Sequence, residues 1–505
     1  MAGPTAQRFD RRIIEGALPA AVWHLAWPSI LQNMLGGLQG MLDQAMIGHA
    51  VGYRGNAAIG VSWQIFLVVV VFISSLYTGM GVLVSRFAGA GDPDKVNRTV
   101  YQAFLTSLLL GIGVMAPFGY FASPYLLQLV NAAPDVQAEA LPYLRIMFFG
   151  GTGTLMFFMI GGAMRAAGDA KTPLRLGILL SVMHVVFNFV LIRGVGPIPP
   201  LGTRGAAIGD ALSSVIVGGV GIWMLFNHKT PVWFSRSMSF KPDLAVIRSL
   251  FRFGLPTGFQ GVAMNIGGVL MLRFIGSLEH SAAAQGAYSV GYNQLFTLIT
   301  WTSVGLMGAT AAVAGQNLGA GKPDRVKHAV SVSSGLGLAI ATGVGLLFWL
   351  MPGTLFGLFG LTDPIVLQIG VQLLHFLAIS GLFVTVALVH TGALQGTGDT
   401  RSPFYISIVS QLGVPLTLCF ALQQMRGGSL IPSDIWTAIL LGHITRCALS
   451  VLRFRQDRWI GIAVNIDETR PAPPTSAPAA CDPEPAFSTH GKERQAARAV
   501  PPRYQ

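Results

Sequence analysis

Charge is what this sequence most lacks. Only 11% of its 505 residues are Asp, Glu, Lys or Arg, against roughly 25% in an ordinary soluble domain, which excludes a water-soluble globular protein. Cysteine is scarce as well. Cys419, Cys447 and Cys481 have neither metal-ligand nor redox spacing, so a disulfide framework and a metal site are not expected. No stretch alternates apolar and polar residues in the manner of a membrane-barrel strand. The Gly-rich AGAGD and GAGKP stretches lack the fuller phosphate-binding pattern and read as turns. ATP-driven pumping is therefore disfavoured, and no cofactor is expected. Arg8, Arg11 and Arg12 open the chain without a short apolar core and small-residue cleavage site, so a removed signal peptide is not expected either.

What the chain has is long apolar runs. Hydrophobic residues make up 52%, in segments near 22–48, 57–85, 99–122, 141–166, 174–194 and 205–227, then 249–276, 284–315, 329–352, 365–394, 404–424 and 433–454. Each is long enough to cross about 30 Å of hydrocarbon as a helix. The expected fold is an all-α integral membrane protein with twelve transmembrane helices in two pseudo-symmetric six-helix lobes. The expected organisation is an N-terminal segment (1–20), an N-lobe (21–228), an inter-lobe linker (229–246), a C-lobe (247–456) and a tail (457–505). The tail's PAPPTSAPAACDPEPA composition cannot bury a core and reads as disordered.

The net charge of +12 would raise nucleic acid as a partner in a soluble protein. Here the basic residues sit in short loops. Arg86, Lys95 and Arg98, then Arg165, Lys171 and Arg175, then Lys229 to Arg252, then Lys322, Arg325 and Lys327 flank alternate loops. Basic residues mark the cytoplasmic side, so these loops and both termini are placed there, in a multi-pass protein of the plasma (bacterial inner) membrane.

A repeat is visible. Gly89, Ala90, Gly91, Pro93, Asp94 and Val96 recur 230 positions later as Gly319, Ala320, Gly321, Pro323, Asp324 and Val326. Gly162, Ala163, Gly168, Asp169 and Pro173 recur at the same offset as Gly392, Ala393, Gly398, Asp399 and Pro403. Pro28 and Gln32 meet Pro256 and Gln260 at an offset of 228, and both prolines read as kinks in their spans. With six spans per copy, the halves share one topology and are related by an axis along the membrane normal.

The first span, LAWPSILQNMLGGLQGMLDQAMIGH, carries one carboxylate, Asp43. A charged side chain at the centre of an apolar helix costs at least ~2.5 kcal/mol on insertion scales and is a functional candidate by default. Gln32, Gly36, Gln39 and Asp43 fall on one helical face. Ser181, His184 and Asn188 make a polar face of the fifth span, while Asp210 and Ser214 stand one turn apart in the sixth. Counting from span ends, Asp43, Asn188 and Asp210 share a level about 7–8 Å inside one membrane boundary. Gln32, Gln39, Ser181 and Ser214 are assigned to the N-lobe cavity around them. His184 also fits a hydrogen-bonded interior histidine, and Asp210 fits an acid placed at the positive end of a helix dipole.

With these features in view, the kinked first span, the loop RFAGAGDPDKV, the segment GAMRAAGDAKTP and its partner GALQGTGDTRSP resemble the multidrug and toxic compound extrusion (MATE) family over about residues 20–455. The resemblance implies a secondary antiporter exporting organic, often cationic, compounds in exchange for protons or sodium ions. NorM-type members carry acids in the seventh and tenth spans. Here Met264, Asn265 and Val384 stand near those places. Asp43 matches the first-span aspartate of DinF-type members, so the resemblance points to that proton-coupled branch, with sodium the alternative ion. Some members place a second aspartate in span five in an N-x-x-x-D pattern, whereas this chain reads His184-Val-Val-Phe-Asn188, and Asp210 stands just across the outer loop inside span six.

Two carboxylates close together in low dielectric do not both ionise readily. The expected mechanism is that Asp43, assisted by Asp210, takes up a proton from outside and so weakens the site for a small cationic organic substrate; Asn188 and His184 are assigned to the same proton-coupling or substrate site. A working monomer is compatible with two internal lobes. A flippase for a lipid-linked sugar is the closest rival, but it would favour a basic central cleft. A polytopic glycan-transferring enzyme would need a large polar loop or clustered acids, bases and metal ligands, and a channel would need a filter segment.

Overall fold

The computed structural model describes residues 9–464 apart from 131–132, 228–229 and 236–237, with the side chains of Gln44 and Tyr53 also outside the description. Every regular element among the described residues is helical. The N-lobe spans are α1 (Leu18–Ala50), α2 (Tyr53–Gly89), α3 (Pro93–Leu129), α4 (Pro134–Ala166), α5 (Lys171–Arg193) and α6 (Gly202–Phe226). The C-lobe spans are α7 (Leu244–Gly276), α8 (Ser281–Gly319), α9 (Pro323–Leu350), α10 (Pro364–Thr397), α11 (Arg401–Met425) and α12 (Pro432–Arg455). Two short helices, Arg12–Glu15 and Pro352–Gly357, lie outside these spans.

Eleven of the described helices are long and apolar enough to cross a membrane. The twelfth long helix, α1, is the exception, because Gln32, Asn33, Gln39 and Asp43 give it a polar stripe. A span that faces neighbouring polar groups rather than lipid tolerates such a stripe. Pro28 and Pro256 lie inside continuous helices. Three spans instead loosen into π-helical turns, at Leu109–Met115 of α3, Gly291–Leu295 of α8 and Ile408–Gly413 of α11.

The repeat read from the sequence recurs in backbone geometry. Gly91 and Gly321 have φ of 73° and 72°, and Gly168 and Gly398 have φ of 100° and 102°. Only glycine adopts these left-handed values without strain. The acids that follow cap the next helix in both lobes. Asp169 accepts from the backbone N–H of Lys171 and Thr172, and Asp399 from that of Ser402.

The lobes meet through the halves of α1, α2, α7 and α8 nearest the chain termini. Gly79 of α2 abuts the Leu250 carbonyl of α7, Gly254 and Gly258 abut Ser75, and Gly261 faces Val71. Between α1 and α8, Gly305 faces Ile30, Gly37 faces the Trp301 ring, and Asn33 donates to the Trp301 carbonyl at 3.3 Å. Deepest on this side, Gly89 abuts the Gln316 carbonyl and Gly319 the Arg86 carbonyl. The far halves of these helices pack within their own lobes: Asp43 of α1 meets α5, while Gly267 of α7 meets Gln411 and Leu412 of α11. The contacts thus close the interface on the terminal side.

Both ends of the described chain fold onto that closure. Ile13 is buried, and its carbonyl accepts from Asn317, while Lys322 and Arg325 donate to the carbonyls of Ile14 and Gly16. The boundary expected at residue 457 is corrected: Trp459 is 0% exposed, stacks on Phe454 at 5.1 Å, and is followed by Ile462, whose carbonyl accepts from Arg86. Trp459, Ile462 and Val464, with the Lys327–Asp457 pair at 2.6 Å, hold residues 457–464 against the helix ends. The disorder expected for the rest of the tail concerns residues outside those described. The linker is likewise strapped to the N-lobe, where Tyr101 and Gln102 donate to the carbonyls of Phe240 and Lys241, and its last residues already belong to α7.

The close contact at Gly319 yields a prediction. Gly319→Val would drive a side chain into the Arg86 backbone, and overpacking costs about 1–3 kcal/mol, enough to disfavour the closed terminal side. Spin labels at exposed Asp94 and Asp324 should then give a longer, broader distance distribution than in the unmodified protein. An unchanged distribution would contradict this account of the closure.

Candidate functional site

The acid of α1 does not stand alone. His184 Nε2 lies 2.6 Å from Asp43 Oδ1, and Asn188 Nδ2 donates to the same oxygen at 2.9 Å. His184 Nδ1 lies 3.2 Å from Asp210 Oδ1. One imidazole therefore sits between two carboxylates borne by α1 and α6. The ring is 2% exposed and Asn188 1%, whereas both carboxylates keep side-chain exposures of 22%.

Each member is placed by its helix. His184 and Asn188 are one turn apart on α5, so both face α1. Asp210 reaches the ring because α6 approaches α5 through glycine: a Cβ at Gly209 would run into Asn188 Oδ1, and one at Gly205 into the Leu191 carbonyl. Asp43, Asn188 and Asp210, set at one level by counting residues, do meet around a common centre. The centre is the His184 ring, which separates the two acids, rather than a direct carboxylate pair. Tyr143 of α4, buried and within electrostatic range of both acids, is a neighbour that the sequence did not single out. An interior tyrosine in an apolar span carries no spacing signal.

The cavity residues divide. Ser181 donates to Gln39 Oε1 at 3.2 Å, extending the α1–α5 polar seam by one turn. Gln32 accepts from Arg165 Nη1 at 3.1 Å. Ser214 departs from expectation: it is buried and pairs with Thr154 Oγ1 of α4 at 3.2 Å, where Gly153 lets α4 and α6 pack closely. It belongs to a helix-packing contact rather than to the cavity. Arg165 also differs from its reading as a loop cation, since its side chain turns back along α4 past Gly161 toward Gln32. An arginine near a helix end resembles a topology signal whether it points outward or inward. Among the described residues no group of three or more His, Cys, Asp or Glu is arranged to hold a metal ion.

A neutral imidazole offers one N–H and one lone pair, and an imidazolium two N–H groups. Nε2 is within hydrogen-bond reach of Asp43 and also lies 2.9 Å from Asn188 Nδ2, whereas Nδ1 faces Asp210 at 3.2 Å without a hydrogen bond of good geometry. With the ring doubly protonated and both acids ionised, the triad would have a net charge of −1. A further proton on either carboxyl makes it neutral and turns one acceptor oxygen into a donor.

Comparison with known proteins follows this geometry. A family model described as MatE matches residues 28–190 and 256–420. A probable multidrug resistance protein NorM of Thermotoga maritima is 25% identical over 439 residues, covering 86% of this chain and 92% of its own. Multidrug resistance protein MdtK of Pectobacterium atrosepticum is 26% identical over 447 residues, covering 85% of this chain and 94% of its own. A solved structure described as the outward-facing conformation of a multidrug resistance MATE family transporter of the MOP superfamily is similar at a TM-score of 0.81 and 19% identity, over 88% of this chain and 97% of that one. The last similarity concerns the fold: twelve helices in two lobes.

The packing of α6 on α5 sets the second prediction. Gly209→Val would displace Asn188 and, with it, one of the bonds to Asp43. A buried hydrogen bond to a charged group contributes about 1.5–3 kcal/mol, so the melting temperature of the purified protein should fall. Gly219→Val, on the same helix where a Cβ meets nothing within 4 Å, should leave it unchanged. Equal losses in the two variants would remove the special role of Gly209.

Proposed function

We propose that this chain, which belongs to the MatE family, is a secondary exporter of organic, lipophilic cations driven by protons through Asp43, His184 and Asp210. The observation that carries this reading is the imidazole held between two carboxylates inside the N-lobe. The family membership supports transport by alternating access, and the relatives' names support multidrug substrates. The C-lobe positions Met264, Asn265 and Val384 offer no acid, which favours coupling in the N-lobe, as in the DinF-type branch, over a sodium site elsewhere.

Antiport follows from charge exclusion. With one proton fewer, the triad is anionic and attracts a cation. At an effective dielectric constant of about 20, a unit charge 6 Å away contributes roughly 3 kcal/mol, about a hundredfold in affinity. With one proton more, that attraction is gone, and the neutral carboxyl of Asp43 accepts more weakly from His184 and Asn188 than the carboxylate does. The weakening loosens the α1–α5 seam at the same moment. Proton and cationic substrate therefore occupy the N-lobe in turn, and each stroke of the lobes exchanges one for the other.

Orientation enters the proposal with the charge bias of the loops. Lys95, Arg98, Lys171, Arg175, Arg248, Arg252, Lys322, Arg325 and Lys327 gather on the side carrying the described termini, and such residues mark the cytoplasmic side. The closed end is then cytoplasmic and the separated halves face outward, in the plasma membrane of a bacterium.

The test is efflux of a fluorescent lipophilic cation from proteoliposomes under an imposed pH gradient. Asp43→Asn and Asp210→Asn should each lose roughly 10–100-fold in gradient-driven rate, the size of the Coulomb contribution above. Efflux driven by a sodium gradient alone, or efflux unaffected in a folded Asp43→Asn protein, would overturn the reading.

A further inference from the structure

We propose that the C-lobe binds a monovalent anion, either a halide ion or the carboxylate of a transported compound, on the guanidinium of Arg446. Arg446 sits inside α12, about 21 Å from its start and about 14 Å from its end along the axis. It is 5% exposed and, among the described residues, makes no hydrogen bond or ion pair, with its Nε fully enclosed. Arginine keeps its charge at neutral pH, and an unpaired charge inside a membrane span is strongly unfavourable. Compensation has to come from elsewhere.

The lobe itself supplies none. All six carboxylates between residues 244 and 464, namely Glu279, Asp324, Asp363, Asp399, Asp434 and Asp457, stand in loops or first helical turns at the two membrane faces. Two of them are already engaged by other arginines near the ends of α12. Arg426 Nε lies 3.0 Å from Asp434 Oδ2, and Arg453 Nη2 lies 2.8 Å from Asp399 Oδ2. Arg446 lies between these closed pairs and has none of its own.

Its surroundings are built of donors. Trp436, His443, Arg446 and Ser450 follow one another at spacings of seven, three and four, on one face of α12. His443 Nδ1, Arg446 Nε and Ser450 Oγ, each about one helical turn from the next, are all buried and without a hydrogen-bond partner. Unpartnered buried donors are rare, because each forfeits its full desolvation energy. An aromatic wall flanks the line: Trp436 stacks on Tyr288 at 6.1 Å, Tyr288 on Tyr292 at 4.9 Å, and Phe296 on His443 at 5.9 Å. Tyr292 is carried by the π-helical turn Gly291–Leu295 and is within electrostatic range of Arg446. One cation walled by aromatic rings and faced by N–H donors suits a single negative charge. A phosphate dianion would leave an uncompensated negative charge in its place.

The test reads binding rather than transport, so its outcome is separate from that of the proton-coupled reading. The melting temperature of the purified protein is followed at constant ionic strength as sodium chloride or sodium benzoate replaces sodium sulfate. A rise is expected that sets in near the dissociation constant and then grows by roughly 1–2 °C for each tenfold increase above it. It should vanish in Arg446→Gln and persist in Asp43→Asn. Should Arg446→Gln fail to fold, His443→Phe and Ser450→Ala, which keep the charge and delete neighbouring polar groups, should move the onset of the rise severalfold toward higher anion concentration. A response to chloride alone identifies a resident halide, whereas an onset at lower concentration for benzoate identifies the carboxylate of a transported compound. No rise with either anion, or rises in Arg446→Gln or in both donor variants equal to that of the unmodified protein, would overturn the proposal.

Discussion

A charge placed inside an apolar lobe has to be compensated within the lobe, and the N-lobe is arranged around that requirement. Asp43 would make α1 a costly span by itself. His184 and Asn188 supply two donors from α5, and Asp210 balances the ring from α6. Three helices are thereby tied at one level. The close approach this needs explains Gly205 and Gly209, where any side chain would push α6 off α5. The same polar stripe leaves α1 short of the hydropathy of the other eleven spans. Its weakness as a membrane helix and its place in the site have one cause.

The interface between lobes obeys a different rule. It is made by glycines against backbone at Gly79, Gly89 and Gly319, with few polar bonds such as Gln316 to the Ala166 carbonyl and Asn33 to the Trp301 carbonyl. Small residues let helix backbones approach closely, and in lipid such packing takes the place of a hydrophobic driving force. A contact of this kind separates without stranding many polar groups. The charged network, by contrast, stays inside one lobe. Two rigid halves with a releasable seam are what alternating access requires.

Much of this was legible in the residues. Twelve spans follow from length and composition, and the repeated Gly-Asp turns return nearly equal φ angles at positions 230 residues apart. Helical spacing set Asp43, Asn188 and Asp210 at one depth, and they do converge. What spacing could not give is the direction of a side chain around its helix. Ser214 lies one turn from Asp210 yet turns toward α4, and Arg165 looks like a loop cation yet points back into the lobe. His184 could be weighed as an interior histidine only until its two neighbours were known. The boundary at 457 failed for a related reason, since composition averages over a window and a single buried Trp459 decides the matter.

The repeat preserves the scaffold and not the chemistry. At the offset of 230 the turn glycines and capping acids coincide, but His184, Asn188 and Asp210 meet Val414, Leu418 and Leu440, and Arg446 meets Ile216. Turn residues are held by backbone geometry, which both lobes share. Interior polar residues answer only to what each lobe must hold. One lobe consequently carries two acids around an imidazole, and the other a lone guanidinium with no acid away from its ends.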